Sequence, residues 1–192
     1  MKPLIFIISG SAGAGKDSVI KGIKARRQDL LWAITTTSKQ PREDESQGNP
    51  YYFITKEEFL QLVRDDGFFE YENVYGDNYY GMTKKEINSA LDSGKNIIWQ
   101  MDYRGYRKVR LILPHQIRSI FILPPSLEIA EKRIRKRGSI DEAFVEERLE
   151  LAKKEIAASS EYDYTVVNEE NCLPETVAKV LAIIDENIKN NR

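Results

Sequence analysis

The residues with the clearest capacity for chemistry lie near the amino terminus, directly after the apolar run 4–8. They read Gly10-Ser11-Ala12-Gly13-Ala14-Gly15-Lys16-Asp17-Ser18. An apolar strand, a glycine-rich loop and a helix together form a phosphate cradle, because glycines let backbone N–H groups converge on an anion. The start of the helix adds partial positive charge, and Lys16 supplies a mobile cation for β- and γ-phosphates. An ordinary glycine-rich turn is the alternative, and the flanking strand and helix argue against it.

Positively charged side chains gather a second time, in and after the basic stretch 131–138. They are Arg133, Arg135, Arg137 and Arg148. A phosphoryl group in transfer needs a second cationic clamp. Arg133 and Arg137 are four residues apart and share a helix face, and Gly138 allows the bend of a hinged lid. A solvated basic helix end is the alternative, and the presence of a phosphate loop favours the clamp.

A third group could hold a phosphorylated acceptor. The cations and phenols suited to an acceptor phosphate are Lys39, Arg42, Tyr51 and Tyr80. Arginine offers a planar fork to phosphate oxygens, and tyrosine offers a neutral donor. Two carboxylates, Glu70 and Asp102, could accept N–H bonds from the edge of a base, which makes such a site selective. Taken singly, each of these residues is more often an exposed surface group than part of a binding site.

Composition narrows the function classes. The chain has 192 residues, and its 29 Lys and Arg balance 30 Asp and Glu, which argues against a general polyanion or nucleic-acid binder. The single histidine, His115, is expected in a surface loop, so neither a serine-type triad nor a zinc site is supported. The single cysteine, Cys172, cannot form an intrachain disulfide, and no apolar run reaches membrane-spanning length. We expect a cytoplasmic protein that does not bind membranes.

The arrangement of apolar runs predicts the fold class. Short runs at Leu4–Ile8, Asn96–Met101, Ser119–Leu123 and Tyr164–Val167 alternate with helical patterns, which is typical of parallel strands joined by crossover helices. Helices are predicted from 16 to 27, after Ser126, after the capping box Ser139-x-x-Glu142, and from near Pro174.

The stretch from about 37 to 94 interrupts this alternation. It contains six of the ten tyrosines, a strand-like run over 68–75 and a turn at Gly76-Asp77-Asn78. Thr55-x-x-Glu58 and Thr83-x-x-Glu86 are capping boxes that predict two short helices, the second ending at Gly94. We interpret this block as an inserted, mixed-strand subdomain. Its tyrosines either pack an edge or bind a polar ligand, and their number favours the ligand.

Ordered motifs along nearly the whole chain resemble the guanylate kinase family. The motifs are Gly10-x-x-Gly13-x-Gly15-Lys16, Thr35-Thr36-Thr37-Ser38-Lys39-Gln40-Pro41-Arg42 with Tyr51-x-Phe53, Phe69-Glu70-Tyr71, Asn78-Tyr79-Tyr80-Gly81, Asp102-x-x-Gly105, Leu123-Pro124-Pro125-Ser126, Arg133-x-x-x-Arg137-Gly138, Arg148-Leu149, Tyr162-Asp163-Tyr164 and Val167-Asn168. The resemblance implies a three-layer α/β P-loop fold in a single domain. Its core would be 1–36, 95–125 and 160–192, its nucleotide-binding insertion 37–94 and its helical lid 126–159.

The resemblance also implies an activity, namely transfer of the γ-phosphate of ATP to GMP with magnesium. The loop 10–18 and Asn168 would bind ATP, and Lys16, Arg133, Arg137 and Arg148 would stabilise transfer. Lys39, Arg42, Tyr51 and Tyr80 would grip the phosphate of GMP, while Thr35, Glu70 and Asp102 would read guanine. No nucleic-acid partner is implied, and the protein would be a monomer or a homodimer.

Several positions depart from the family pattern. Lys39 stands where the family has arginine, and Met82 replaces a serine or threonine expected to donate to guanine. Asp17 replaces the usual serine or threonine after Lys16, while Gln100 stands where an acidic residue is usual. Because magnesium prefers hard oxygen ligands, we expect Asp17 to supply the magnesium-side carboxylate, directly or through water.

Two other functions remain open at this point. A phosphate loop that ends Lys-Asp-Ser also resembles ribose bisphosphate kinases of phosphonate metabolism, so ribose 1,5-bisphosphate is an alternative acceptor. An inactive binding module, like the guanylate-kinase-like domains of scaffold proteins, is the other alternative. Retention of Lys16 and the lid arginines argues against that module.

Overall fold

The computed structural model describes residues 2–43, 45–75, 77–136 and 142–191, with the backbone only at 74 and 75. The helices are α1 (Lys16–Arg26), α2 (Lys56–Arg64), α3 (Lys84–Asp92), α4 (Tyr103–Ile112), α5 (Leu127–Lys136), α6 (Glu142–Ala157) and α7 (Leu173–Asn190), with a short 3₁₀ helix at Ala158–Glu161. The strands are β1 (Ile5–Gly10), β2 (Leu31–Ala33), β3 (Thr36–Thr37), β4 (Tyr52–Phe53), β5 (Phe68–Tyr75), β6 (Asn78–Thr83), β7 (Ile97–Gln100), β8 (Ile117–Leu123) and β9 (Tyr164–Val167).

A five-stranded parallel sheet in the order β2-β7-β1-β8-β9 forms the centre of the molecule. Side chains alternate across its middle strand, so Phe6 and Ile8 face one layer while Ile5 and Ile7 face the other. The first face packs on α1 and α7, and the second packs on α3 and α4. The result is the predicted three-layer α/β arrangement, in which both faces of a parallel sheet are covered by helices.

A smaller, mixed sheet stands beside the carboxyl edge of the parallel sheet. Its order is β4-β3-β6-β5, with β3 and β4 parallel and the other pairs antiparallel. The pairing places Glu70 opposite Met82 and Glu72 opposite Tyr80. Helix α2 covers this sheet, and its Phe59 ring stacks on Phe68 with centroids 4.2 Å apart.

Several sequence predictions are confirmed at the level of single elements. Strand β9 has the predicted bounds, α1 ends within one residue of the predicted end, and Thr55 and Glu58 form the predicted reciprocal capping box. At α3, Thr83 accepts the N–H of Glu86, but the Glu86 carboxylate accepts the N–H of Ile34 instead of completing the box. Gly76 of the predicted turn and Ser139 of the predicted third box lie outside the described residues.

Other elements were missed or placed differently by the sequence analysis. Strands β3 and β4 have two residues each, too few for any periodicity, and β2 has three. Helix α4 begins at an Asp102 cap that we interpreted as a base reader, so its helical role was missed. Helix α3, assigned to the insertion by sequence, buries Ile87 and Ala90 in the layer beneath the parallel sheet. Among the described residues, no helix is long and apolar enough to cross a membrane.

Candidate active site

A cavity of about 440 Å³ opens where the carboxyl ends of the parallel strands meet the mixed sheet. The carboxyl edge of an open parallel sheet is where α/β proteins bind their ligands. From the phosphate loop the lining residues are Gly10, Ser11, Ala12, Gly13, Gly15, Lys16 and Asp17. Every predicted acceptor-side residue also lines it, namely Thr35, Lys39, Arg42, Tyr51, Glu70, Tyr80 and Asp102. The structure therefore brings both predicted groups, far apart in sequence, to one space.

The phosphate loop takes a shape that requires glycine at two positions. Gly13 and Gly15 have φ angles of 74° and 80°, in the left-handed region. A Cβ on Gly13 would lie 2.5 Å from the carbonyl oxygen of Ala130, so the loop packs directly on the backbone of α5. Of the remaining loop residues, Ala14 is buried beneath the loop and Ser18 is exposed on α1. Their side chains do not reach the cavity, although the loop main chain does.

The Lys16 ammonium stands at the cavity wall beside Asp17. Lys16 Nζ lies 3.4 Å from Asp17 Oδ1, and Gln100 donates Nε2–H to the same oxygen at 3.3 Å. The Asp17 side chain is 48% exposed, so its carboxylate is accessible from the cavity. The described residues contain no group of three or more histidine, cysteine, aspartate or glutamate side chains with metal-binding geometry. A single hard carboxylate fits magnesium, which usually takes one or two carboxylates together with phosphate oxygens and water.

The predicted clamp arginines occupy different places. Arg148, on α6, lines the cavity, and its guanidinium lies 5.4 Å from the ring centroid of Phe144. Arg133, on α5, is not part of the lining. It donates from Nη1 to the carbonyl oxygens of Gly13 and Ala14, at 3.3 Å each, and so holds the loop from outside. Arg137 lies outside the described residues.

Asn168, predicted to bind the nucleotide, connects β9 to the phosphate loop. Its Nδ2 donates to the carbonyl oxygen of Ala14 at 2.8 Å, and its main-chain carbonyl oxygen accepts Arg133 Nη2–H at 3.0 Å. The Asn168 side chain is 5% exposed and does not line the cavity. In this structure the residue therefore supports the loop.

The acceptor end combines cations with phenols. Lys39 is paired with Glu45, and its ammonium also lies 5.7 Å from the Tyr51 ring. The Tyr51 and Tyr80 rings meet edge to face with centroids 5.6 Å apart. Burial raises the pKa of Tyr51 above its usual value and that of Tyr80 to about 12, so both phenols remain neutral donors at physiological pH.

The two predicted base readers differ in what their carboxylates contact, and that of Glu70 interacts with the main-chain N–H of Met82. Burial, with Asp102 and Glu72 nearby, raises the Glu70 pKa to about 8, while Lys108 opposes the shift. Asp102 Oδ1 instead caps α4 by accepting the N–H groups of Arg104 and Gly105, at 3.1 and 2.9 Å. Its Oδ2 accepts Nε–H and Nη2–H of Arg104 at 3.0 and 2.9 Å. Asp102 would have to exchange these bonds to read a base.

Met82 does not face the cavity. Its side chain is fully buried in the apolar layer that also contains Ile87 and Trp99. The hydroxyl missing from this position is therefore not replaced by the thioether, which packs in the core. Thr35 is a lining hydroxyl, 8% exposed.

Three acidic lining residues carried no assigned role in the sequence analysis. Glu45 lies within the motif that contains Lys39 and Arg42, and it binds both the Lys39 ammonium and the Arg42 N–H. Glu72 lies two residues from Glu70 on β5, so strand alternation could have identified it, and it pairs with Lys108 at 2.7 Å. Glu155, on α6, had no such signal, because its contact is with the distant phosphate loop.

A phosphate loop facing a second wall of phosphate-binding groups across one cleft defines a P-loop phosphotransferase class, in which two phosphorylated ligands are held end to end. The chain belongs to the guanylate kinase family, since the family model described as guanylate kinase matches residues 1–187.

Individual relatives agree with this membership. The chain is 42% identical over 173 residues to a guanylate kinase of Francisella tularensis subsp. tularensis, covering 88% of this chain and 90% of that one. It is 41% identical over 183 residues to a guanylate kinase of Clostridium acetobutylicum, covering 95% and 85%. Among solved structures, guanylate kinase from Anaplasma phagocytophilum superimposes with a TM-score of 0.77 at 27% identity, covering 97% of this chain and 86% of that one.

Proposed function

We propose that this chain transfers the γ-phosphoryl group of ATP to GMP, giving ADP and GDP. The observation that carries the proposal is the single cavity that joins the phosphate loop to Arg42, Tyr51, Tyr80 and the buried carboxylate of Glu70. An anion held by main-chain amides and a second anion held by phenols and a guanidinium then lie within reach of each other. Family membership gives the same substrate pair.

At the ATP end, the loop 10–18 would hold the phosphates through its main chain, with Lys16 as the mobile cation. Arg148 would add positive charge from α6, since it lines the same cavity. Arg133 would act indirectly, by holding the carbonyl groups of Gly13 and Ala14 in the loop. Arg137 is still predicted to stabilise the transferred phosphoryl group. Asn168 would support the same loop from β9.

At the acceptor end, Tyr51, Tyr80, Arg42 and Lys39 would grip the phosphate of GMP. Glu70, when ionised, would accept N–H groups from guanine, while Thr35 would offer its hydroxyl to the polar edge of the base. Asp102 is the second predicted reader. The phosphate of GMP is itself the nucleophile, so the chain needs no nucleophilic side chain. Its contribution is alignment, charge neutralisation and exclusion of water.

Asp17 would hold the magnesium-bound end of ATP, directly or through water. Magnesium, when bound, neutralises charge that develops on the phosphate oxygens. The neighbouring Gln100 carboxamide donates to Asp17 Oδ1 and would help to orient that carboxylate. The acidic group for magnesium would then come from the start of α1.

In the direct test, purified protein is incubated with ATP, magnesium and one acceptor at a time: GMP, dGMP, AMP, UMP or ribose 1,5-bisphosphate. Release of ADP with GMP or dGMP alone is expected, because Glu70, which lines the cavity, would accept the N–H groups that guanine presents. Release with the sugar bisphosphate would replace the proposed acceptor. Absence of release with every acceptor would show a binding module instead of an enzyme.

A magnesium titration tests the role of Asp17. We expect D17N to require about tenfold more magnesium for half-maximal activity, because a neutral amide is a weaker ligand for a hard cation. Asp29 provides the matched control, since its carboxylate pairs with Arg27 at 2.8 Å and lies outside the cavity lining. D29N should keep the original requirement. An unchanged requirement in D17N would remove Asp17 from the metal site.

A further inference from the structure

A carboxylate on helix α6 contacts the phosphate loop. Glu155 Oε2 accepts the backbone N–H of Ala12 at 2.8 Å, across 143 positions of sequence. Glu155 also lines the cavity, yet none of the steps proposed above uses it. A carboxylate at this place is unexpected, because the loop is built to attract the phosphates of a nucleotide and a second anion there repels them.

The Glu155 carboxyl is largely buried, so its hydrogen bond to Ala12 replaces contacts with water. Burial raises the pKa of Glu155, while the Ala12 N–H, Lys16 and Arg148 oppose that rise and Asp102 adds to it. The ionised form is therefore less favoured than in water. An acceptor oxygen is present in the neutral acid as well as in the carboxylate, so the bond to Ala12 survives either state.

The spacing along α6 explains what this bond does for the site. Val145, Arg148, Ala152 and Glu155 follow each other at intervals of three, four and three, which places them on one helix face. Val145 and Ala152 are fully buried, and Arg148 and Glu155 both line the cavity. The apolar pair packs the helix, and the polar pair reaches the loop and the ligand space from the same side.

We propose that Glu155 is a positioning residue for phosphoryl transfer. Its bond to Ala12 fixes the main chain of the phosphate loop against α6, two helical turns from Arg148, and so sets the distance between the loop amides and that guanidinium. The proposal rests on the proposed function, because only a phosphoryl donor in the loop makes that distance matter. Removing the acceptor leaves α6 and the loop free to shift relative to each other.

Two variants of nearly equal volume separate the hydrogen bond from the packing. E155Q keeps an acceptor oxygen, whereas E155M keeps the volume and helix propensity but has no effective acceptor. Loss of a hydrogen bond to a partly buried backbone donor predicts a fall in kcat/KM for ATP of about tenfold in E155M. E155Q should stay within about twofold of the parent protein, and KM for GMP should not change in either.

A matched control lies on the same helix. Glu150 is exposed and pairs with Lys153 at 2.6 Å, so E150M removes a carboxylate from α6 without touching the loop. It should leave all kinetic constants unchanged. Hydrogen exchange gives a readout without turnover: the Ala12 amide should exchange about tenfold faster in E155M than in E155Q, because its acceptor is gone.

Several results would overturn the positioning role. Tighter binding of a non-hydrolysable ATP analogue by both E155Q and E155M would show that the carboxylate competes with phosphate instead of holding the loop. If E155M matched the parent protein in its kinetic constants and in the exchange rate of the Ala12 amide, the hydrogen bond would be shown to be dispensable. If E155M does not fold, an E155Q variant with reduced kcat/KM for ATP contradicts the proposal by itself. If the proposed function is wrong, the result is different: the parent protein binds the analogue but does not phosphorylate GMP.

Discussion

The two ends of the cavity are built from different parts of the chain. The ATP end is a continuous loop, 10–18, that recognises anions mainly through its main chain. The acceptor end is assembled from side chains on separate elements, among them Thr35, Tyr51, Glu70 and Tyr80. A main-chain site depends on backbone shape and therefore on glycine, whereas a side-chain site depends on the chemistry of each residue. Substitutions should therefore act in different ways at the two ends.

The largest expected effect is at the mobile cation of the ATP end. K16M should lower kcat about 10³-fold, because the ammonium meets charge that develops on the transferred phosphoryl group. The melting temperature and KM for GMP should change little, since methionine keeps most of the aliphatic length of the Lys16 side chain, which is 20% exposed. Steady-state kinetics and thermal denaturation measure both. Lys132, exposed and paired with Glu170, gives the control variant K132M. Near-normal turnover in K16M would show that the active site has been assigned wrongly.

The backbone conformation of the phosphate loop can be disrupted at Gly13 without removing a functional side chain. G13A should lower the free energy of unfolding by about 3 kcal/mol, because Gly13 has a φ of 74° and a Cβ would overlap the Ala130 backbone. Gly94 also has a positive φ, 69°, but a Cβ there would meet nothing within 4 Å. G94A should cost about 1 kcal/mol. Equal losses in chemical denaturation would show that the contact with α5 is unimportant.

At the acceptor end, the charge of one carboxylate should decide base recognition. Because the Glu70 pKa is raised to about 8, its ionised form is a minority at pH 7. We expect KM for GMP to fall as pH rises from 6 and to level off above about 8. E70Q should abolish this dependence and lower kcat/KM for GMP about 10²-fold, since an amide presents one acceptor oxygen where the carboxylate presents two.

The same pKa has a consequence for stability. The folded-state pKa of Glu70 lies above its ordinary value of 4.5, so the native protein holds the proton more tightly than the unfolded chain does. The stabilising contribution is complete below about pH 4.5 and is lost as pH rises through about 8. In E70Q, the free energy of unfolding should change less over that window. Parallel stability profiles for the two proteins would contradict the raised pKa.

The smallest effect is expected where donors are redundant. Y51F should raise KM for GMP about tenfold and leave kcat nearly unchanged, because it removes one neutral donor from a group that also contains Tyr80, Arg42 and Lys39. Tyr52 is adjacent in sequence but does not line the cavity, so Y52F should behave as the parent protein. An equal effect of both substitutions would mean that the aromatic cluster acts through packing.

Features that depend on neighbouring residues were predicted from the sequence more successfully than features that depend on distant ones. The phosphate loop, the capping box at Thr55 and strand β9 depend on neighbouring residues, and local patterns were sufficient to find them. The two-residue strands β3 and β4 depend on pairing partners elsewhere in the chain. The cap at Asp102 is local, but it was missed because the residue was interpreted as a base reader. The role of Arg133 as a loop support was not foreseen either, because its acceptors are carbonyl oxygens 119 and 120 positions away.

By itself the sequence determined the phosphate loop, the alternation that gives a parallel α/β sheet, and the set of residue types able to hold a second phosphate. These follow from short-range rules, since glycine conformation, strand alternation and helix capping act over a few residues. Only the tertiary structure decided which of these groups share a cavity, how deeply Glu70 is buried, and that Glu155 reaches Ala12. Burial and long-range hydrogen bonds set those outcomes, and both depend on segments brought together only by folding.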